Sequence, residues 1–207
     1  MWWLIAVTAG LAVTALLPMS FPGDGGPTGV DRAAADLVQR MLGAHPGVFE
    51  ALVIPSNGYV VLPVLLLGAV WYARRRRWWV VGFLLVAPEL VVAINAMLLK
   101  PLWHRQLHDY LAYPSGHTVQ FVAIATAFVL AAERIRTRIV GIAVAVVVLA
   151  GVAIGMIGLG YHHATDVLGG AGAAVGFVTA SYAALDSLRA RRSAAPTART
   201  TAATPPR

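Results

Sequence analysis

The sequence contains no cysteine, which excludes disulfide bonds, thiol nucleophiles and thiolate metal sites. Charge is also scarce, because only 12% of the 207 residues are charged, whereas a soluble domain has roughly 25%. Together with 58% hydrophobic residues, this shortage predicts an integral membrane protein. Basic residues exceed acidic ones by seven. In a membrane protein such an excess reports orientation, so it does not indicate nucleic-acid binding.

The first apolar run, Trp2–Met19, lacks a preceding Lys or Arg. A secretory signal peptide has a basic segment before its apolar core and small residues at its cleavage site. Neither feature is clear here, so we predict that this run is a retained membrane span.

Six apolar segments approach the roughly 20 residues that a helix needs to cross a bilayer. They predict an all-α integral membrane bundle of six transmembrane helices, which forms one domain over residues 1–186. The approximate bounds of the segments are Trp2–Met19, Val48–Tyr72, Trp78–Leu99, His117–Ala132, Ile139–Leu159 and Ala164–Leu185.

The basic residues are distributed unevenly between the loops. Twelve of the 16 follow the second, fourth or sixth span. The positive-inside rule therefore places both termini in the cytoplasm and the loops after spans one, three and five on the outer face. The basic segment 187–207 is rich in Ala, Thr and Pro, and we predict that it is a disordered cytoplasmic tail.

The first outer loop, residues 20–47, contains a helical pattern. Apolar residues recur at helical spacing from Val30 to Leu42, and Thr28 stands three residues before Asp31, as in an N-terminal cap. This pattern predicts an amphipathic helix over residues 28–42. The helix either packs on the bundle or gates a lipid substrate, and packing is the simpler interpretation.

The other two outer loops, residues 100–118 and 155–166, hold five of the six histidines. Lys100 and Arg105 supply fixed positive charge to the first of these loops. Ser115, Gly116 and His117 stand where the fourth span begins, and the N–H groups at a helix N-terminus favour anions. This set of residues suits a phosphate group.

The stretch GLGYHHATDVLGG, residues 158–170, adds a candidate nucleophile. His162 and Asp166 are four residues apart, which is about one helical turn. The Asp166 carboxylate can then accept a hydrogen bond from one imidazole nitrogen and leave the other free to attack. His117, from the other loop, can protonate the leaving oxygen.

Three pieces of sequence, K-x-x-x-x-R, P-S-G-H and H-x-x-x-D, occur in this order between residues 98 and 170. In combination they resemble the type 2 phosphatidic acid phosphatase superfamily, which includes membrane lipid phosphate phosphatases. The span layout extends the resemblance over most of the chain.

The resemblance implies a role for each matching residue. His162 would be the nucleophile that forms a phosphohistidine, Asp166 would orient it, and His117 would be the general acid. No metal ion or other cofactor would be needed. Phosphate would be bound by Lys100, Ser115 and the backbone of Gly116.

The sequence departs from the family pattern at two places. The first motif usually has an Arg–Pro pair where this chain has Leu107 and His108, and the third has Ser–Arg where it has Gly155 and Met156. We predict that Arg105 replaces one missing cation and binds phosphate. A divergent active enzyme is the main interpretation, and a catalytically degenerate lipid-phosphate binding or transport protein is the alternative.

Four further polar residues are candidate accessories to the site: His163, His104, His108 and Glu89. Glu89 lies mid-span after Pro88, where a carboxylate is either functional or satisfies freed backbone groups.

The sequence fits two other hydrolase classes less well. Zinc held by His117, by His162 or His163 and by Asp166 is conceivable, but Lys100 and Arg105 would repel it. A serine hydrolase through Ser115 lacks a G-x-S-x-G elbow.

The sequence therefore predicts a hydrolase of lipid phosphates or pyrophosphates, with its site on the outer, periplasmic side of the inner membrane. By family analogy the substrate is a polyprenyl phosphate or pyrophosphate, or a phosphatidate-like lipid, and the role would be recycling of a bacterial cell-envelope lipid carrier. The expected partners are this substrate and the bilayer. The sequence does not determine an oligomeric state.

Overall fold

The structure, a computed structural model, describes residues 2–194. Helices form most of this part of the chain, which confirms the predicted all-α class. Their bounds are α1 (Trp2–Leu16), α2 (Gly29–Leu42), α3 (Pro46–Val53), α4 (Gly58–Arg74), α5 (Trp78–Ile94), α6 (Lys100–Trp103), α7 (Gly116–Ala131), α8 (Ile135–Gly158) and α9 (Ala164–Ala194).

Shorter elements join some of these helices. 3₁₀ turns occupy Leu17–Ser20 and Ile54–Ser56, and a π-helical turn over Asn95–Leu99 links α5 to α6. Strands β1 (Gln106–Leu107) and β2 (Tyr110–Leu111) pair in antiparallel register as a small hairpin that the sequence analysis did not predict.

Five helical segments are long and apolar enough to cross a membrane. They are Trp2–Ser20, Pro46–Arg74, Trp78–Trp103, Ile135–Gly158 and Ala164–Arg192. Helix α7 has only 16 residues, about 24 Å at 1.5 Å per residue. The count of six spans and the cytoplasmic termini therefore remain predictions.

Helix α7 lies at the centre of the bundle. It packs against α4, α5, α8 and α9, and half of its residues are buried, among them Val119, Ala123 and Ala127 at 0% exposure. Because neighbouring helices surround it, α7 contributes to the main core along much of its length.

The second predicted span is two helices in the structure. Helix α3 ends at Val53, and α4 begins after Asn57, whose backbone is extended (φ −71°, ψ 143°). Pro55 lies in the 3₁₀ turn between them, and its ring removes a backbone donor that a continuous helix would use. Helix α3 packs on α8.

The amphipathic helix predicted in the first outer loop is α2. Thr28 and Asp31 form a reciprocal capping box at its N-terminus. The helix packs against α8 and α9 and buries Asp31 and Val38, as the packing interpretation expects.

Helix α9 is longer than the sixth predicted span. It continues to Ala194, so the prediction of a disordered tail from residue 187 is wrong for residues 187–194. Ala and Arg favour helix strongly enough to extend it past the apolar part. Residues 195–207 lie outside the described residues.

Glycines allow α1 to pack closely on α9. A Cβ atom added to Gly10 would lie 2.6 Å from the Gly172 carbonyl oxygen and 2.9 Å from the Gly176 nitrogen. One turn further along α1, the Thr14 hydroxyl donates to the Gly169 carbonyl at 3.0 Å. This seam fixes the N-terminal end of α9, where Asp166 lies.

We expect Gly10→Ala to lower the thermal stability of the detergent-solubilised protein, because the added methyl group forces the two helix backbones apart. Gly82→Ala is the matched control, since a Cβ atom at this helical position meets nothing within 4 Å. The control should be neutral or stabilising by about 0.5–1 kcal/mol. Equal melting temperatures for the two variants would contradict the close packing of this seam.

Candidate active site

Four segments meet at one end of the bundle and form the histidine cluster, which we define as Lys100, His117, His162, His163 and Asp166. The segments are α6, the N-terminus of α7, the loop between α8 and α9, and the first turn of α9. The structure thus brings together residues from both predicted active-site loops.

Ser115 forms the N-cap of α7. Its Oγ accepts hydrogen bonds from the Thr118 backbone N–H at 3.4 Å and the Thr118 hydroxyl at 3.1 Å. Its backbone N–H donates to the Asp166 carbonyl at 3.0 Å, and the residue is 0% exposed. The Ser115 side chain thus holds the terminus of α7 as an acceptor, and the phosphate-binding role predicted for this residue stays a prediction.

Gly116 is the first residue of α7 and faces open space, because an added Cβ atom would meet nothing within 4 Å. Within residues 2–194, the backbone N–H groups of Gly116 and His117 have no backbone acceptor. A helix N-terminus with exposed N–H groups is suited to an anion.

The rings of His117 and His162 lie edge to face across the cluster. Their centroids are 6.4 Å apart, with an interplanar angle of 69°. His162 is 6% exposed, and its Nδ1 lies 3.7 Å from the Asp166 Oδ2. This Nδ1 is buried and has no hydrogen-bond partner among the described residues. Catalytic hydrogen bonds are often longer in unliganded enzymes and shorten when substrate binds.

Asp166 is fully buried, and both of its oxygens are held by other groups. Oδ1 accepts a hydrogen bond from Arg105 Nη1 at 2.8 Å, and Oδ2 accepts one from the His163 backbone N–H at 2.8 Å. These bonds fix the carboxylate so that Oδ2 faces the His162 ring.

Arg105 is 1% exposed and uses all five of its N–H donors. Nε donates to the Gly25 carbonyl, Nη1 to the Thr165 hydroxyl and Asp166, and Nη2 to the Gly26 carbonyl and Asp31. In this structure no donor of Arg105 is left for a phosphate oxygen, so nothing in the geometry supports the phosphate-binding role predicted for it.

Asp31 is the second carboxylate bound by Arg105, and sequence reasoning missed this role. Its Oδ2 lies 3.0 Å from Arg105 Nη2, and its Oδ1 accepts from the Thr165 backbone N–H at 2.9 Å. Burial works to raise its pKa, but hydrogen bonds from Thr165, Thr28 and Arg105 prevail and lower it to about 2. Asp31 is therefore ionised at neutral pH.

The small hairpin lies beside the loop that carries His162. The Tyr110 hydroxyl donates to the Tyr161 carbonyl, and the Tyr110 and His162 rings are 6.0 Å apart. Lys100 is half-buried and donates from Nζ to the Leu111 carbonyl. Its charge also acts on Asp166 and His117.

The two positions where the family usually has arginine hold no cation. Leu107 lies in strand β1. Met156 is fully buried and contacts the Ser115 hydroxyl through its sulfur at 3.8 Å. At the neighbouring Gly155, a Cβ atom would lie 2.7 Å from the Phe49 carbonyl oxygen. Close packing of α8 on α3 therefore occupies this region.

The candidate accessory residues fall in different places. His163 is in the cluster, and burial lowers its pKa against the opposing effect of Asp166. His108 Nε2 lies 3.4 Å from the Gly160 carbonyl oxygen. His104 is exposed with a left-handed backbone at the end of α6. Glu89 is exposed on α5, and none of the described hydrogen bonds or ion pairs involves it.

The zinc alternative finds no ligand set in the described part of the chain. Across residues 2–194, no group of three or more His, Asp or Glu side chains is arranged to hold a metal ion.

We expect Arg105→Ala to lower the free energy of unfolding by about 3–5 kcal/mol, because it leaves two buried carboxylates without their cation. Arg40→Ala is the control, since Arg40 is exposed on α2. Denaturant-induced unfolding in mild detergent measures both. A loss no larger for Arg105→Ala than for Arg40→Ala would contradict the buried ion-pair network.

Comparison with known proteins agrees with the geometry of the cluster. The model of the PAP2 superfamily matches residues 95–190, a range that contains all five residues of the cluster. Members of this superfamily are generally phosphatases. No curated protein and no solved structure matches the chain. The family predicted from the three motifs is thus confirmed: the segment that carries the histidine cluster is a PAP2-superfamily segment.

Proposed function

We propose that the protein removes phosphate from a membrane lipid phosphate or pyrophosphate, without a metal ion, through a phosphohistidine on His162. The observation that carries the proposal is the arrangement of three side chains. A buried His162 has Nδ1 turned towards the fixed Asp166 carboxylate, and the ring of His117 is 6.4 Å away. These are the nucleophile, its orienting group and an acid that two-step phosphoryl transfer requires.

The proposed reaction has two steps. Nε2 of His162 attacks phosphorus, the bond from phosphorus to the lipid oxygen breaks, and His117 gives its proton to that oxygen. Water then attacks the phosphohistidine, His117 takes a proton from the water, and the phosphorus–nitrogen bond breaks. The net reaction consumes one water and yields the lipid alcohol, or the lipid monophosphate from a pyrophosphate, and inorganic phosphate.

The phosphate oxygens would be held by fewer cations than is usual in the family. Lys100 and the N–H groups of Gly116 and His117 are available, whereas Arg105 is not. One charge-assisted hydrogen bond to an oxyanion contributes about 2–4 kcal/mol in a transition state. We therefore expect turnover to be slow compared with an enzyme that has two further arginines.

An apolar groove supports a substrate with a long hydrocarbon chain. Its volume is about 360 Å³, and it runs between α4, α7 and α8. Its α7 wall is formed by Phe121, Ile124, Ala125, Phe128 and Val129. Phe121 follows His117 by four residues, which is about one turn of α7. The chain of a lipid could therefore enter the groove while its phosphate reaches the histidine cluster.

The proposed function includes an orientation of the protein in the membrane. The uneven distribution of basic residues favours a cluster on the outer face of the inner membrane. Because neighbouring helices surround α7, its 16 residues can complete a sixth crossing without full exposure to lipid. A polyprenyl phosphate or pyrophosphate is the first choice of substrate, and a phosphatidate-like lipid is the second.

A binding or transport protein without turnover is the second candidate function. The observation that favours it is the missing positive charge, since Leu107 and Met156 replace the usual arginines and Arg105 is engaged. Such a protein would bind lipid phosphates and release no phosphate.

We expect the purified protein to release phosphate from polyprenyl phosphates or pyrophosphates in the presence of chelator, and His162→Ala to abolish the release. The reason is that no other described group replaces a lost nucleophile. The measurement is inorganic phosphate, with acid-quenched labelling of the protein to detect the phosphohistidine. His45→Ala is the control, because His45 is exposed in the first outer loop.

Three results would count against this proposal. Loss of activity in chelator would indicate metal chemistry. Equal release by His162→Ala would exclude His162 as the nucleophile. Binding of every lipid phosphate with no release would favour the binding protein.

We expect Val64→Trp to reduce kcat/KM for long-chain lipid phosphates and to leave short-chain, water-soluble phosphates unaffected. Val64 lines the groove, so the larger ring would occupy the space of the hydrocarbon chain. Leu67→Trp is the matched control, because Leu67 is exposed on the same helix and outside the groove. An equal effect on both chain lengths would show that the groove does not bind the substrate.

A further inference from the structure

The guanidinium of Arg105 joins two carboxylates that come from distant parts of the chain. Nη1 lies 2.8 Å from Asp166 Oδ1, and Nη2 lies 3.0 Å from Asp31 Oδ2. All three side chains are at most 1% exposed. Little water therefore reaches the trio, and its charges interact in a medium of low polarity.

The charges of this trio do not cancel. One guanidinium and two carboxylates carry a net charge of −1. Arg105 and Asp166 alone would form a neutral pair, and His162 would then have no net negative charge beside it. Asp31 restores that charge, because it shares the same guanidinium.

A negative neighbour is chemically important to a histidine nucleophile. When Nε2 forms a bond to phosphorus while Nδ1 keeps its proton, the ring becomes positively charged. A nearby net negative charge stabilises this cation and the transition state that leads to it. A neutral Arg105–Asp166 pair would orient the ring and stabilise the charge less.

We infer that Asp31 is a positioning residue that acts through Arg105 to keep a net negative charge at Asp166, beside the nucleophile. This inference rests on the proposed function of His162. It assigns to α2, which lies in the first outer loop, an electrostatic role in the site in addition to its packing.

Thr165 strengthens the connection between the two carboxylates. Its hydroxyl accepts from Arg105 Nη1 at 2.7 Å and donates to Asp31 Oδ2 at 3.0 Å, and its backbone N–H donates to Asp31 Oδ1 at 2.9 Å. Asp31 is thus fixed to the residue next to Asp166. The same bonds would also serve a purely mechanical clamp of α2 on α9, so the test must separate charge from attachment.

Other titratable or charged groups also surround His162, and they remain unchanged in the variants below. They are Lys100, Tyr110, His117, Tyr161, His163 and Asp166.

The experiment is the pH profile of kcat and kcat/KM for Asp31→Asn in the full-length protein with a lipid phosphate substrate. Without the Asp31 charge, His162 is less readily protonated, and the acidic limb of kcat/KM should move to lower pH by on the order of one unit. On the plateau, kcat should fall about tenfold, since one such unit corresponds to a tenfold change, while KM changes little.

The double variant Asp31→Asn/Arg105→Gln removes one charge of each sign and restores the net charge of −1. Its acidic limb should return to the wild-type position, even if its rate stays lower. Asp36→Asn is the matched control, because Asp36 is exposed on the same helix. It should leave both the acidic limb and kcat unchanged. Should Asp31→Asn fail to fold, Asp31→Ser removes the same charge from a smaller side chain.

A uniform loss of rate with no movement of the acidic limb would overturn the inference and leave a mechanical clamp. The inference would also be overturned if the acidic limb of kcat/KM for the double variant lay at the same pH as that of Asp31→Asn. The titration of the His162 imidazole, followed by ¹⁵N-histidine NMR and assigned with His162→Ala, needs no turnover. If the wild type releases no phosphate, the proposed function fails. The shift in this titration then still decides whether Asp31 acts on His162.

Discussion

The buried guanidinium of Arg105 is the constraint on which the rest of the site depends. Its five donors bind the turn before α2, Asp31 in the first turn of α2, and the first turn of α9. A buried cation is tolerable only when it is fully hydrogen-bonded and paired with negative charge. These segments must therefore take up their native positions together, and the orientation of Asp166 is one result of that requirement. The closely packed glycines of α1 and α9 also help to fix the position of Asp166, because they hold the N-terminal part of α9 against α1.

This arrangement separates the two tasks that arginine performs in phosphate chemistry. A guanidinium can bind an oxyanion, or it can organise the carboxylates that support a nucleophile. Arg105 has no donor left for the first task, and in the proposed reaction it performs the second. The positive charge that remains accessible in the cluster is then that of Lys100, supported by the N-terminus of α7. The histidines next to it are half-buried or buried, and burial favours the neutral form of His163.

Much of the fold and the core of the site could be predicted from the sequence, because both depend on local patterns. Apolar runs predicted the bundle, the spacing of Thr28 and Asp31 predicted the cap of α2, and the three motifs predicted which loops would meet. The role of Arg105 could not be predicted, since its partners lie 61 and 74 residues away in the chain. For Asp31 the sequence predicted only a role in the helix cap, although the same carboxylate also binds Arg105. The hairpin at 106–111 has no signal in the periodicity of apolar residues. The break at Pro55 follows from a helix-breaking residue that a search for long apolar runs does not take into account.

In the proposed function, the apolar groove and the histidine cluster contribute to catalysis in different ways. A hydrocarbon chain in the groove is bound equally well in the ground state and in the transition state, so it raises occupancy and does not raise kcat. The loss of two arginines affects the transition state, where charge on the phosphoryl oxygens is greatest. Tight binding of the chain therefore cannot replace those arginines. In the proposed reaction, only groups that interact more strongly with the transition state can do so: Lys100, the N–H groups that begin α7, the proton on His117, and the net charge that Asp31 maintains beside His162.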